Sequence, residues 1–379
     1  MDPRINEEQL MMKNNIRKMM LEKVAPIAAE IDENSNFPWS VKDLFSENDI
    51  FSLVVPPEYD GLDGKLLTLC ICIEEISRVC ASSSMVLGNQ SLGASPIYLW
   101  GNKQQKERYL PRVATGEILP CFALTEPNAG SDVSAIQTRA VLEGDNYVIN
   151  GNKCFITHAE VGDPFTVFAK VNVDGKDKLT AFIVDRGTPG LSFGKNEVKM
   201  GLRGSPTGTI ILENVNVPKE NILGKVGDGF RIALDSLDKG RIMTGAMSIG
   251  IAQGALDCAV EYAKARVQFG KPIAELQGIQ FMLADMETSI QAARNLMLTA
   301  AYKYDNKETD MVKFSAMSKL FATDMVMNVT TDAVQILGGY GYCREYPVER
   351  MMRDAKIFAI FEGTNQVQRI VIARELIKN

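Results

Sequence analysis

The spacing of apolar residues changes twice along this chain, and that change limits the fold more than any single motif. Up to about Pro120 apolar residues recur every three or four positions, as in LLTLCICIEEISRVCASSSMVLG, which predicts packed amphipathic helices. Between about Cys121 and Gly224 the texture becomes short alternating or β-branched runs, among them YVING, FTVFAKVNV, LTAFIVD and GTIILENVNV. Turn signals part them: EGDN, Asn150-Gly151, Asp174-Gly175 and Thr188-Pro189-Gly190. These gaps leave no room for crossover helices, so an antiparallel β-domain is expected. From about Asp228 the helical period returns in long blocks such as IMTGAMSIGIAQGALDCAVEYAKARVQF, which predict long antiparallel helices. Small residues at Gly245, Ala246, Gly250, Gly254 and Ala255 would let such helices approach closely. The pattern is α+β in three parts: helical over 1–120, β over 121–224 and helical over 225–379.

Charge and cysteine usage narrow the function. Lys plus Arg total 41 against 47 Asp plus Glu, a formal net charge of −6 without a polybasic run, so nucleic acid is not an expected partner. A phosphorylated ligand would need local cations and backbone N–H groups. The seven cysteines are scattered without CxxC pairing and read as free thiols of a reducing compartment. His158 is the only histidine, so no metal centre is expected. The apolar stretches are too short to cross a bilayer, and MDPRINEEQL reads as neither signal nor transit peptide, so no membrane insertion and a cytoplasmic location are expected.

Several segments could carry chemistry. The loop CFALTEPNAGSD (Cys121 to Asp132) would expose backbone donors around Asn128, Gly130 and Ser131, suiting a flat heteroaromatic ring or a phosphate; an ordinary connection is equally compatible. In GNKCFITHAE, Phe155 and Thr157 would share one strand face, with Ile156 and His158 on the other. An aromatic beside a hydroxyl can stack on a ring and bond its edge, although a core Phe and a surface Thr is the simpler reading. His158 reads as a surface or interface residue, since no triad partner is evident. Arg203, between Gly201 and Gly204, is a candidate anion or inter-domain contact, or merely solvated. Gly338-Gly339-Tyr340-Gly341 looks like a phosphate loop, but no strand precedes it and the GxGxxG spacing is absent. Near the end, Glu362 sits among Ile357, Phe358, Ile360 and Phe361. Apolar surroundings should lift its pKa towards the range of a general base, and Gly363 would give close backbone access to a ligand. Thr364 is placed to cap the helix VQRIVIAREL, which would also favour an acid just before it.

Taken in order, CFALTEPNAGSD, FITHAE, KMGLRGS, LDKGR, ARVQFGKPIAELQ, QILGGYGY and FEGTNQVQR make the whole chain resemble the acyl-CoA dehydrogenase family. The resemblance implies an N-terminal helical domain, a middle β-domain and a C-terminal four-helix domain, assembled as a homotetramer with bound FAD and an acyl-CoA thioester. It implies flavin contacts from Phe122, Leu124 and Thr125, with Ser131 facing both FAD and the CoA ester. Phe155, Ile156 and Thr157 would make the flavin's other contacts, and Arg266 and Gln277 would serve its diphosphate. Gln335, Gly338 and Gly339 would reach in from a neighbouring subunit, and Thr364, Asn365 and Gln366 would add further contacts. Asp238 and Arg241 are implied on the CoA side, with Gly363 beside the substrate. Glu362 matches the family's catalytic base, taking the α-proton of the thioester while hydride leaves the β-carbon for flavin N5. The enolate oxygen would be held by the Glu362 backbone N–H and a flavin ribityl hydroxyl, donors of a kind worth about 3 to 4 kcal/mol each.

Some relatives place the base just before the Arg of the LDxxR segment; here that residue is Gly240, which cannot act. Relatives with an extra substrate carboxylate carry an Arg ahead of the N-Q-S-L segment. SSSMVLGNQSLG has none, which disfavours a dicarboxylyl substrate. His158 stands where Asn is usual and Phe361 where Tyr is common. Gly88 and Gly93 would leave the floor of the acyl pocket open, fitting short- or medium-chain or alicyclic (cyclohexanecarboxyl-type) acyl-CoA. An electron-transfer flavoprotein is the expected acceptor. The alternatives are an acyl-CoA oxidase on the same scaffold, or a non-catalytic CoA-binding helical protein.

Overall fold

The computed structural model describes residues 4–62 and 64–378, so Met1 to Pro3 of the segment read for targeting lie outside the described residues. Six α-helices come first: α1 (Glu7–Met19), α2 (Ala28–Asn34), α3 (Trp39–Glu47), α4 (Leu66–Val79), α5 (Ala81–Trp100) and α6 (Lys103–Ala114). Asn6 and Asn102 start α1 and α6 with reciprocal capping boxes to Gln9 and Gln105, each satisfying two otherwise orphaned N–H groups. The expected amphipathic run over α4 and α5 is not what forms. It splits at Cys80, whose extended backbone (φ −151°, ψ 110°) ends one helix and begins the next. Both helices are buried on nearly every side, α4 between α1, α5 and the later helices, and α5 against α6 and the sheet. A helix covered all round loses the one-face pattern.

The middle of the chain forms β1 (Cys121–Ala123), β2 (Arg139–Glu143), β3 (Asn146–Thr157), β4 (Phe165–Val173), β5 (Lys176–Val184), β6 (Leu191–Phe193), β7 (Thr207–Pro218) and β8 (Ile222–Leu223). They pair in the order β6-β7-β3-β2-β4-β5-β8, with β1 beside β4. Most pairings are antiparallel as expected, but β1 and β2 both run parallel to β4, Cys121 opposite Phe165 and Arg139 opposite Lys170. The crossover that a parallel pair requires is made by the β2–β3 hairpin rather than a helix, so the short gaps did not forbid it. A separate apolar core, including Ile149, Phe165, Phe182 and Ile210, fills this region.

The remainder is α7 (Gly229–Ala265), a small hairpin of β9 (Val267–Gln268) and β10 (Lys271–Pro272), α8 (Gln277–Asp305), α9 (Met311–Leu337), α10 (Val348–Ala355) and α11 (Asn365–Ile377). Helix α9 packs against α7, α8, α10 and α11. Helix α7 also binds the two helical regions together. A Cβ at Gly250 would stand 2.2 Å from the Glu74 carbonyl oxygen, and one at Gly254 2.2 Å from that of Arg78, so only glycine lets α7 lie against α4. The KMGLRGS turn closes a junction of three regions: Leu202 N–H donates to Asp354, Arg203 Nε to Ser35, and Gly201 leaves no room for a Cβ beside the Arg353 carbonyl. Arg203 is thus the inter-domain contact. All seven cysteines are free, and no helix among the described residues is long and apolar enough to cross a membrane.

Candidate active site

The chain enters the site after a 3₁₀ turn over Lys356–Ala359 and leaves it at α11, where the Thr364 hydroxyl accepts from Val367 N–H at 3.2 Å. Between these points Glu362 and Gly363 take left-handed conformations, φ 55° and 83°. For Glu362 this backbone costs of order 1 kcal/mol. The turn points the carboxyl inward. The residue as a whole is half-buried, yet its Oε2 atom is enclosed and has no hydrogen-bond partner among the described residues. It faces Gly240 of α7, where a Cβ would lie 2.9 Å from Oε2 and 3.3 Å from Leu92 Cδ1 of α5. Burial pushes the Glu362 carboxyl up to about 7 against the opposing pull of Arg241 and Lys319. A carboxylate so poised suits proton abstraction near neutral pH.

On either side of Gly240, at Asp238 and Arg241, α7 supplies charge. Arg241 Nη1 donates to Asp238 Oδ1 at 2.5 Å, both side chains are buried, and Arg241 Nε has no partner among the described residues. Burial pushes Asp238 up to about 6, although Arg241 opposes it. Lys319 of α9, fully buried, donates to the Gly363 carbonyl at 2.9 Å and to Asn365 Oδ1 at 2.8 Å. Sequence reasoning passed over Lys319. Its only signal was a cation spaced on the helix face of Ser315, Ala316, Ala322 and Thr323, small residues that mark a buried side.

A second set of residues meets on the sheet. Cys154 N–H donates to the Thr125 carbonyl at 3.0 Å and Lys153 Nζ to that of Leu124 at 3.1 Å, so the loop after β1 lies along β3. A bulge between Lys153 and Ile156 turns Phe155 outward with φ 56°, leaving the residue 62% exposed. Thr157 is half-buried, Ile156 and Leu124 point into core, the Phe122 ring sits 5.0 Å from Phe168, and Ser131 is exposed. Beneath them runs a pair the sequence did not announce. Lys153 Nζ donates to Glu126 Oε1 at 2.7 Å with both side chains buried, and Glu126 also accepts from Gln137 N–H, Thr138 N–H and the Thr138 hydroxyl.

His158 is not a surface residue: it is 1% exposed. Its Nδ1 lies 3.3 Å from Asn89 Nδ2, its Nε2 3.1 Å from Ser205 Oγ, and Phe37 meets it edge to face. Since the Asn89 amide donates, the proton belongs on Nε2. Burial holds this imidazole neutral, with its pKa down at about 3. The interface reading therefore stands, between the helical region and the sheet. Asn89 touches the residue after Thr157, and Leu92, one helical turn on, borders Glu362, so α5 joins the two sets of residues. The expected open pocket floor is corrected. Gly88 and Gly93 lie inside α5, where a Cβ would meet Met247 Cε at 2.1 Å and the Pro120 carbonyl oxygen at 1.9 Å. The glycines admit close packing there, not empty space.

Arg266, Gln277, Gln335, Gly338 and Gly339 are not brought to Glu362. All are exposed, and the Arg266 guanidinium lies 5.7 Å from the Tyr340 ring centre. At about 1.5 Å per residue, α9 carries Gln335 about 24 Å from Lys319. No strand precedes the Gly338 turn, which follows α9 directly. Thr364 and Gln366 adjoin Glu362, but the Asn365 side chain is committed inward, to Lys319, Thr323 and Asp324.

Residues 6–117 match the acyl-CoA dehydrogenase N-terminal domain, 121–215 the middle domain and 227–377 the C-terminal domain. The chain is 47% identical over 376 residues to a cyclohex-1-ene-1-carbonyl-CoA dehydrogenase of Geobacter metallireducens, covering 98% of this chain and 99% of that one. It superposes on butyryl-CoA dehydrogenase from Megasphaera elsdenii with a TM-score of 0.95, 41% identity and full coverage of both chains. An acyl-CoA dehydrogenase from Bacillus anthracis complexed with FAD aligns with a TM-score of 0.93 and 34% identity over 99% of this chain and 68% of that one.

Proposed function

We propose, from the premise that this chain belongs to the acyl-CoA dehydrogenase family and is an oxidoreductase of that type, that it converts an acyl-CoA to the 2-enoyl-CoA with Glu362 as base. The observation that carries this is the enclosed, unpartnered Glu362 Oε2 facing the space beside Gly240. FAD suits the remaining residues. The outward Phe155 ring in strained backbone offers a flat apolar face, with Thr157 and the Thr125 loop beside it. Bound there, FAD would supply the acceptor for the hydride. Glu362 would take the α-proton and hold it on its carboxyl, while its backbone N–H would donate to the thioester oxygen and stabilise the enolate. Leu92 and Leu124 would keep water out of the reacting region. Gly240 leaves room for the Glu362 carboxyl and contributes no competing base.

The substrate we infer is a short- or medium-chain or alicyclic acyl-CoA. Helix α5, whose Leu92 comes up beside Gly240, carries no cation for a second carboxylate. Anaerobic titration of the yellow protein tests this: butyryl-CoA and a cyclohexanecarbonyl-CoA should bleach the flavin band, glutaryl-CoA should not. A colourless purified protein, or one no thioester bleaches, sinks the reading. With bleached enzyme, transfer to an electron-transfer flavoprotein in the cytoplasm is the route we infer, and peroxide formed under air at the turnover rate would point to an oxidase instead.

We further infer that a homotetramer completes the flavin site. Phe269 at the tip of the β9–β10 hairpin is 92% exposed and Tyr342 86%, and Phe281 is also exposed, all near Arg266, Gln277 and Tyr340. Apolar surface of this kind marks an interface. Phe269→Asp should lower the mass seen by light scattering and release FAD together; a variant still tetrameric and fully yellow would refute the arrangement.

A further inference from the structure

We propose that Lys319 is a positioning residue for the base, fixing the two residues that follow Glu362 and setting the charge its carboxyl feels. The inference rests on the proposed role of Glu362. Lys319 is fully buried, and its ammonium is spent on the Gly363 carbonyl and on Asn365 Oδ1, the residues immediately C-terminal to the base. No carboxylate lies within salt-bridge distance of it among the described residues, so α9 carries a buried cation whose partners are neutral dipoles. That arrangement is costly unless the charge is used.

The anchoring is deep. Asn365, held by Lys319, also accepts from Thr323 and donates to Asp324, which pairs with Arg369 of α11. Gln368 donates to the carbonyls of Glu362 and Gly363. Without this lattice the left-handed Glu362 backbone would relax and swing the carboxyl from Gly240. The charged and titratable groups around Lys319 are Glu362 on the turn, Asp238 and Arg241 on α7, Asp324 on α9 and Arg369 on α11. Burial brings Lys319 down to about 8, opposed by Glu362, and its charge in turn draws the Glu362 carboxyl downward. Near pH 7, proton uptake at Glu362 thus occurs beside the positive charge of Lys319.

The test is the pH profile of kcat/KM for the FAD-loaded tetramer with butyryl-CoA. Lys319→Met should raise the apparent pKa of the base by about one unit, cutting kcat/KM about fivefold at pH 7 and recovering at alkaline pH. Lys319→Arg, which keeps the charge, should leave that pKa in place. If Lys319→Met does not fold, Lys319→Gln carries the same expectation. An unchanged pKa in the neutral variants, with only a uniform loss of kcat, overturns the inference. Failure of the base assignment is separate: it would show as turnover by Glu362→Gln, whatever the Lys319 profiles do.

Discussion

Glu362→Gln is expected to retain FAD and bind acyl-CoA while turning over at least about 10³-fold more slowly. The amide fills the same space beside Gly240 but cannot accept the α-proton, so binding and chemistry should part. Stopped-flow mixing with butyryl-CoA under anaerobic conditions would read it as a yellow spectrum perturbed by ligand but not bleached. Bleaching at the unaltered rate would remove Glu362 from its role. In the native enzyme, kcat/KM should rise with pH through about 7, as the lifted carboxyl ionises. The same lift has a stability consequence of opposite sign. Because the folded carboxyl binds its proton more tightly than the unfolded one, the folded state carries more bound protons between about 4.5 and 7. The contribution is present below the unfolded value and is lost as pH rises through the folded one. Above pH 7 the enzyme therefore holds a costly buried charge, and Glu362→Gln should melt higher there, by up to about 3 kcal/mol in stability. A thermal scan at pH 6 and pH 8 compares the two.

Lys153→Met should cost about 3 to 5 kcal/mol, the expected penalty for stranding one half of a buried ion pair. Lys153 and Glu126 lie under the Thr125 and Phe155 surface, so the loss should loosen both loops and shed FAD as well. Burial pushes Lys153 down to about 8 against the pull of Glu126. Burial likewise works to raise Glu126, but Lys153, Thr138 and the Gln137 N–H outweigh it and hold the carboxyl below its usual value. A depressed carboxyl contributes stability above its unfolded pKa and loses it on acidification through the folded one. Lys153→Met should therefore be less sensitive to acid than the native chain. Urea denaturation at fixed protein concentration, with the double variant Lys153→Met/Glu126→Gln as comparison, measures the pair. Full stability in the single variant would mean that Glu126 takes up a proton or finds water without cost.

Much of this is legible in the sequence. Two changes of period divided the chain into helical, β and helical parts, because a helix face repeats at 3.6 residues and a strand at two. The apolar neighbours of Glu362 and the capping hydroxyl of Thr364 were local facts, readable in a dozen residues. What failed to read was decided between distant segments. The two parallel neighbours of β4 depend on where a hairpin returns, and the buried helices α4 and α5 depend on what covers them. His158 became an interior group only because Asn89, Ser205 and Phe37 converge on it from three places. Lys319 is one residue among many lysines until α9 is laid against the turn after Glu362. Sequence by itself determined which segments fold as helix or strand and which acid could be a base, since those follow from short-range pattern. Tertiary structure alone decided which groups surround that acid and how strongly it holds its proton, because desolvation and charge are set by neighbours far away in the chain.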